Sequence, residues 1–401
     1  MNRLILIGNG FDCAHNLKTK YENFIYWYWK RVVAHMLTKS IDTYEDELCK
    51  VTNHELDYWG KYYLFHSEEE KDIYKFFINK EGDIDIEFSP LFERINKSVQ
   101  TKGWVDIENE YYDLLKEYAF VDNINKVKEL NAHLQYLKER LIEYLTYIDK
   151  QEVSINENIK NKIYAPIKLD EMSIASRNIL EECVSSWIKQ DDYLVKTKIR
   201  LYGLKEEDFD KDIISFRENF NTGKVPFISI PYQFLLPDEV VLLTFNYTHT
   251  AKLYRNKVLS IINHIHGRID DPSSVIFGYG DELDENYKTL QNKNDNNYLN
   301  NNKSIKYLEG ESYRKLRSFI ESQPYQVVIM GHSCGNSDRT LLNTIFEHPN
   351  CISIKPYYYI KENGEDNYLD LTMNISRNFT DMKLMRDRVV NKTYCEPLTR
   401  Q

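Results

Sequence analysis

Leu4-Ile5-Leu6-Ile7-Gly8-Asn9-Gly10-Phe11-Asp12 is the stretch whose reading decides the fold. Four consecutive aliphatic residues, β-branched at alternate positions, read as a fully buried strand of a parallel sheet. Gly8 and Gly10 stop that strand, allow a tight turn and let a ligand approach bare backbone. The residues that follow, Ala14 to Phe24, read as a short loop and then a helix. A strand, a Gly-x-Gly turn and free backbone N–H groups make a cradle for a dinucleotide pyrophosphate. Cys13 stands where the third glycine of G-x-G-x-x-G belongs, so an ordinary strand-to-helix turn is the competing reading.

Outward from that stretch, the chain has 401 residues, enough for one large domain or two. A net charge of −10, with no basic stripe carrying interleaved aromatics, argues against nucleic acid as a partner. The six cysteines form no C-x-x-C pair, which fits a reducing compartment and argues against a disulfide framework or a zinc ribbon. His249 lies elsewhere and no cysteine pair completes a tetrahedron, so no metal site is expected at His264 and His266. The first residues lead straight into a strand, and no apolar run approaches the roughly 18 residues of a membrane span. A cytoplasmic protein without membrane contact is the expectation.

Along the chain, residues 21–50 continue as helix, with Phe24, Trp27, Tyr28, Val32 and Met36 as its apolar stripe. From 51 to 225 helical period dominates, most clearly in Val127, Leu130, Leu134, Leu137, Leu141 and Leu145. Strand signatures return at Pro237–Asn246, Leu259–Gly267, Val275–Asp281, Gln326–Ser333 and Cys351–Ile360, with helices expected near Thr250–Asn256 and Tyr307–Ser322. The asparagine- and lysine-rich residues 284–304 read as a loop or lid. The turn 362–365 and a helical piece close the chain. These readings give an α/β fold: a Rossmann-like open parallel sheet over 1–50 and 226–361, a large helical insertion over 51–225, and a C-terminal helical extension over 362–401.

Ligands of open parallel sheets sit at the carboxyl ends of the strands. That rule brings Gly8–Asp12, Asn246, His266, Gly278–Asp281 and Gly331–Asp338 to one edge. Asn246, in Thr244-Phe245-Asn246, can orient a water or a ribose hydroxyl, or cap the next helix. His266 can serve as a general base near neutral pH, or stand as a structural histidine. Gly331-His332-Ser333-Cys334-Gly335 matches the G-x-S-x-G nucleophile elbow, yet only His348 follows as a histidine and no His-Gly-Gly-Gly segment precedes it. The rival reading is a nucleotide-binding turn, with Asp338 opening the next helix. Asp106 reads as a helix N-cap with Glu108 in the first turn; the alternative is that one of them reaches a ribose or a reacting water.

Taken together, Leu4–Asp12 with Thr19-Lys20-Tyr21 and Phe24, Trp104–Glu108, Thr244–Thr248, Ile265-His266-Gly267 and Gly331–Asp338 resemble the blocks of the bacteriophage abortive infection AbiH family. The resemblance implies antiviral defence. More distantly, the same blocks look like the SIR2-like (sirtuin-type) arrangement. That likeness implies NAD as substrate or ligand, with Asn246 and His266 for catalysis. It assigns Gly8, Gly10 and Asp12 to the pyrophosphate side and Gly331, Ser333 and Asp338 to adenosine, with Asn9, Phe11, Thr244, Gly278 and His332 completing the expected cofactor contacts. The paired cysteines of sirtuin deacylases are absent, and the first loop is not of the sirtuin form. The expected activity is cleavage of NAD⁺ at the nicotinamide–ribose bond, triggered by phage, with the insertion and residues 284–304 as gating or homo-oligomer surfaces. A nucleotide-sensing module without turnover, and a serine hydrolase using Ser333, are the alternatives.

Overall fold

The computed structural model describes residues 1–79, 83–188, 200–203, 216, 218–219, 230, 232–361 and 363–399. Its strands are β1 (Asn2–Ile7), β2 (Thr43–Glu45), β3 (Cys49–Asn53), β4 (Ile84–Phe88), β5 (Val240–Thr244), β6 (Ser260–His264), β7 (Tyr325–Met330) and β8 (Cys351–Tyr357). β1 is buried along its whole length because it lies at the centre of a parallel sheet of order β6-β5-β1-β7-β8. A strand with a neighbour on each side and a helical layer on each face has no surface to give to polar side chains, and the unbroken aliphatic run answers to that. Ile7 is level with Thr244 and with Met330. Gly8, Phe245 and Gly331 therefore leave the sheet at the same edge, as the carboxyl-end rule requires.

Leu4, Leu6, Val241, Leu243, Val327 and Ile329 pack on one face with Leu316, Ile320, Leu342, Ile345, Leu371 and Ile375. These come from helices Ser312–Ser322, Arg339–Phe346 and Tyr368–Arg377. Ile5, Ile7, Leu242, Val328 and Met330 pack on the other, against Ile159 and Ile163 of helix Glu157–Tyr164 and against Leu398. The result is three layers, helix on sheet on helix. A separate core joins helix Tyr21–Lys39 to the long helix Ile124–Ile148, whose Val127, Leu130, Leu134, Leu137, Leu141 and Leu145 are all buried, as their spacing predicts. No helix among the described residues is long and apolar enough to cross a membrane.

Several expectations are corrected. The helix from Tyr21 ends at Lys39, where Ser40 turns left-handed, and residues up to 50 are not helical. β2, β3 and β4 form a small antiparallel sheet inside the stretch read as helical, and β3 buries Cys49, Val51 and Asn53 on alternate positions. Val275–Asp281 is not a strand. Its backbone is held singly instead, Ile276 N–H by the His266 carbonyl, Gly278 N–H by Glu108 and Tyr279 N–H by the Asn301 carbonyl. Residues 284–304 are not an open loop: they hold helices Glu285–Asn292 and Lys303–Lys306 and bury Tyr287, Leu290, Tyr298 and Lys303. Their asparagines and aspartates act as caps, Asp284, Asp295 and Asn302 each accepting a following N–H. Thr250–Tyr254 is a 3₁₀ turn, and the helix expected from Tyr307 begins at Ser312. β6 ends at His264, so His266 lies in the turn beyond it. Parts of the expected insertion between 189 and 229, residues of the second core segment at 226–229 and 231, and Glu362 of the expected turn lie outside the described residues.

Candidate functional site

The first glycine turn is closed on itself by protein backbone. Gly8 N–H donates to the Met330 carbonyl at 3.3 Å, Gly10 N–H to the Gly331 carbonyl at 2.8 Å, and Phe11 N–H to the Gly8 carbonyl at 2.8 Å. A Cβ on Gly8 would stand 2.5 Å from the His332 Cα, and one on Gly331, whose φ is +75°, 2.1 Å from the Phe11 nitrogen. The two glycine turns exist so that two backbones can touch. Three N–H groups expected to face a pyrophosphate are already bonded, and Asn9 and Gly10 are the exposed part of the turn. Phe11 is core, stacking edge-on with Tyr254.

Behind that turn lies one polar cluster. Asp12, 1% exposed, accepts from Thr248 Oγ1 at 2.6 Å. Asn246 Nδ2 donates to the Gly8 carbonyl at 3.0 Å, and Thr244 Oγ1 accepts from Asn246 N–H at 3.1 Å. Asn246 thus fixes the glycine turn and keeps its side-chain oxygen as an acceptor. Thr244 is buried and serves the turn after β5.

The second cluster holds buried acids and histidines around one lysine. Asp338 occupies the cap position of helix Arg339–Phe346, but its carboxylate makes no cap hydrogen bond. It turns inward, where Oδ1 lies 3.1 Å from His266 Nε2 and 2.9 Å from Lys303 Nζ. Lys303 Nζ also donates to Glu108 Oε2 at 2.9 Å, and Glu108 Oε1 accepts from Gly278 N–H at 2.9 Å. Tyr307 OH is 3.2 Å from His266 Nε2. Asp338 Oδ2 is 3.7 Å from His332 Nε2, and His332 Nδ1 accepts from Cys334 N–H at 3.0 Å. All of these side chains are buried, Lys303 completely.

Their ionisation is divided. Burial alone would raise Asp338, but Lys303 and His266 hold its carboxyl well below the usual range. Burial raises Glu108 to about 7, and the Lys303 charge offsets this only in part. Burial and the nearby ammonium of Lys303 lower His266, so it is neutral at pH 7. One cation therefore holds a firm carboxylate and a carboxyl that titrates near neutrality, the separation that lets two acids take different roles. A neutral imidazole donating from Nε2 to Asp338 keeps its lone pair on Nδ1, the arrangement of an oriented general base.

The structure thus brings His266, His332, Asp338 and Gly278 together, and places Gly8, Asn246, Thr244 and Asp12 in the adjoining cluster. Phe245 packs against the first group, its ring 5.2 Å from His266 and 4.0 Å from His332. Asp106 caps helix Ile107–Phe120 by accepting Asn109 N–H, while Glu108 reaches the centre. Ser333 is exposed, and among the described residues no histidine is bonded to its hydroxyl; Asn374 Nδ2 instead holds its carbonyl. Sequence reasoning missed Lys303 and Tyr307. Lys303 stands in an Asn- and Lys-rich run where nothing distinguishes it from its neighbours; the only local signal is the Asn302 cap that turns the chain there.

Fold and site define a parallel α/β protein with a buried acid–base centre at the carboxyl edge of its sheet. Residues 4–359 match the family model described as bacteriophage abortive infection AbiH, and the chain belongs to that family. Membership points to a role in phage abortive infection. No curated protein and no solved structure matches the chain, so the sirtuin-like resemblance has no structural neighbour behind it.

Proposed function

We propose that the chain is an abortive-infection effector that hydrolyses the nicotinamide–ribose bond of NAD⁺, with His266 as base. The observation that supports this reading is the Asp338–His266 pair held against Lys303 and Glu108 at the carboxyl edge of the sheet. In the step, water forms a bond to the ribose C1′ while the C1′–nitrogen bond breaks, its electron pair returning to the pyridinium ring. The water's proton passes to His266 Nδ1. Nicotinamide leaves neutral, so the leaving group needs no proton. Asp338 stabilises the imidazolium that forms, and Asn246 offers its side-chain oxygen to a hydroxyl or water. The glycine turn lends this reading little, because its N–H groups are engaged by backbone.

The burial of His266 and Lys303 favours a second reading, a nucleotide sensor in which the same charges act as a latch. NAD⁺ content in cells carrying wild type, His266→Ala or Asn246→Ala, with and without phage, separates the two. Expected is a fall in NAD⁺ during infection that requires both residues, with soluble expression matched to wild type. Defence that proceeds with NAD⁺ unchanged would overturn glycohydrolysis, and defence that survives His266→Ala would favour the sensor.

A further inference from the structure

We infer that helix Tyr58–Phe65, which shares no residue with the His266 centre, is a docking surface for a protein segment rich in lysine or arginine. Its sequence, Tyr58-Trp59-Gly60-Lys61-Tyr62-Tyr63-Leu64-Phe65, sets aromatic residues at i, i+1, i+4 and i+5, which share one face of a helix. Leu64 and Phe65 pack against the core that holds helix Tyr21–Lys39. The other four rings stay outside: Trp59 is 59% exposed and Tyr63 70%, with Tyr58 and Tyr62 exposed beside them. They form one cluster, the Trp59 ring lying 5.6 Å from Tyr58, 5.9 Å from Tyr62 and 6.5 Å from Tyr63. A contiguous exposed patch of this kind marks an interaction site, and Trp and Tyr are the residues that anchor protein contacts.

The charge around the patch sets the chemistry of the partner. Residues 54–72 hold six acids against two lysines. Lys61, the one cation of the helix, is buried, and its Nζ donates to Asp42 and to the Ile41 carbonyl. Glu55 and Asp57 are exposed at the start of the helix, Glu68 and Glu69 just past its end. Glu55 also accepts from Asp83 N–H at 3.2 Å, which brings the exposed Asp83 and Asp85 to the end that Asp57 caps.

Other rings of the same insertion show how such a surface is satisfied. Lys116 stands 4.6 Å over Tyr112, Arg140 5.1 Å over Tyr136, Lys126 5.4 Å over Tyr118 and Lys102 5.7 Å over Trp104. Lys30 stands 5.6 Å over Phe65 and 3.4 Å from Glu70, a cation between a ring and a carboxylate at the end of this same helix. Among the described residues no lysine or arginine stands over Tyr58, Trp59, Tyr62 or Tyr63. Rings and carboxylates are in place and the cations are not, so a partner supplies them through cation–π contacts and ion pairs. The same acids would repel an anionic lipid surface and the equivalent face of a second copy.

Fluorescence anisotropy of labelled glycine–lysine, glycine–arginine and glycine–glutamate repeat peptides of equal length, titrated with the full chain, tests the surface. The two basic peptides are expected to bind saturably and the acidic one not at all. Trp59→Ser combined with Tyr63→Ser should weaken that binding by about tenfold, the order of two exposed cation–π contacts. Glu68→Lys combined with Glu69→Lys, a change of exposed charges alone, should weaken it as well. Both variants are expected to melt at the wild-type temperature, and Tyr394→Ser, another exposed ring, should leave affinity unaltered. Basic peptides that do not bind would overturn the proposal. So would binding that the Trp59 and Tyr63 variant retains in full, which is the general attraction of an acidic chain. Sedimentation of wild type as a dimer that the same variant returns to monomer would make a second copy the occupant and overturn it too. Ring-dependent binding to neutral phosphatidylcholine vesicles would overturn it in favour of a membrane.

Discussion

Asp12 shows what burial does to a single carboxyl in this protein. Thr248 donates to its Oδ2, and Oδ1 is without a partner among the described residues. Burial raises its pKa to about 6, against the hydrogen bond from Thr248. The folded value lies above the unfolded one of about 3.9, so folding holds the proton more tightly than the open chain does. The stability this contributes is complete below about pH 3.9 and is lost as pH rises through about 6. Asp12→Asn removes the titration. The variant is expected to gain on wild type between pH 4 and 7, and at pH 8 to be more stable by about 3 kcal/mol, the order set by a two-unit shift. Urea unfolding of both proteins at pH 4, 6 and 8 measures this; a wild-type-to-variant difference independent of pH would remove Asp12 as a buried acid.

At the scale of the element, the two glycine turns can be weighed against an open one. Gly331 and Gly364 both have positive φ, +75° and +83°. A Cβ on Gly364 meets nothing within 4 Å, whereas one on Gly331 runs into Phe11 N and the Gly10 carbonyl carbon. Alanine at 364 should therefore carry only the left-handed penalty, about 1 kcal/mol. Gly331→Ala should exceed it at least about threefold, because strand β7 cannot follow β1 into the turn without one backbone shifting. Equal losses in denaturant melts would mean that the two turns do not bear on each other. The same elements explain what the sequence could tell. β1 was legible because packing on both faces demands an unbroken aliphatic run, and helix Ile124–Ile148 because its side-chain period matches the one core it packs on. Val275–Asp281 looked like β1 but pairs with no strand; its apolar residues bury against helices while its N–H groups go to scattered acceptors. Local composition cannot register where those acceptors will be. His266 and Asp338 were legible as strand-edge polar residues, and Lys303 was not, because its partners are 195 and 35 residues away.

On the scale of the whole molecule, those sequence separations are the point. Glu108 belongs to a helix of the insertion, Lys303 to the segment after it closes back over the sheet, and Asp338 to the core. Burial lowers the Lys303 pKa, yet the two carboxylates together hold it above its ordinary value, so the ammonium stays charged. A buried cation shared by two acids makes the placement of each segment depend on the others. Lys303→Met would leave Asp338 buried without its cation while Glu108, already raised to about 7, takes up a proton, and a loss of about 3–5 kcal/mol is expected. Glu108→Gln removes the acid that titrates near 7 while Lys303 keeps Asp338, so its own loss should be smaller. In the double variant only Asp338 remains charged, and the combined loss should fall short of the sum by about 1–3 kcal/mol. Unfolding of the four proteins in urea at pH 7 gives the coupling directly. Additive losses would mean that insertion and core are held by separate contacts, and the charged centre would then be a passenger of the fold instead of the joint between its parts.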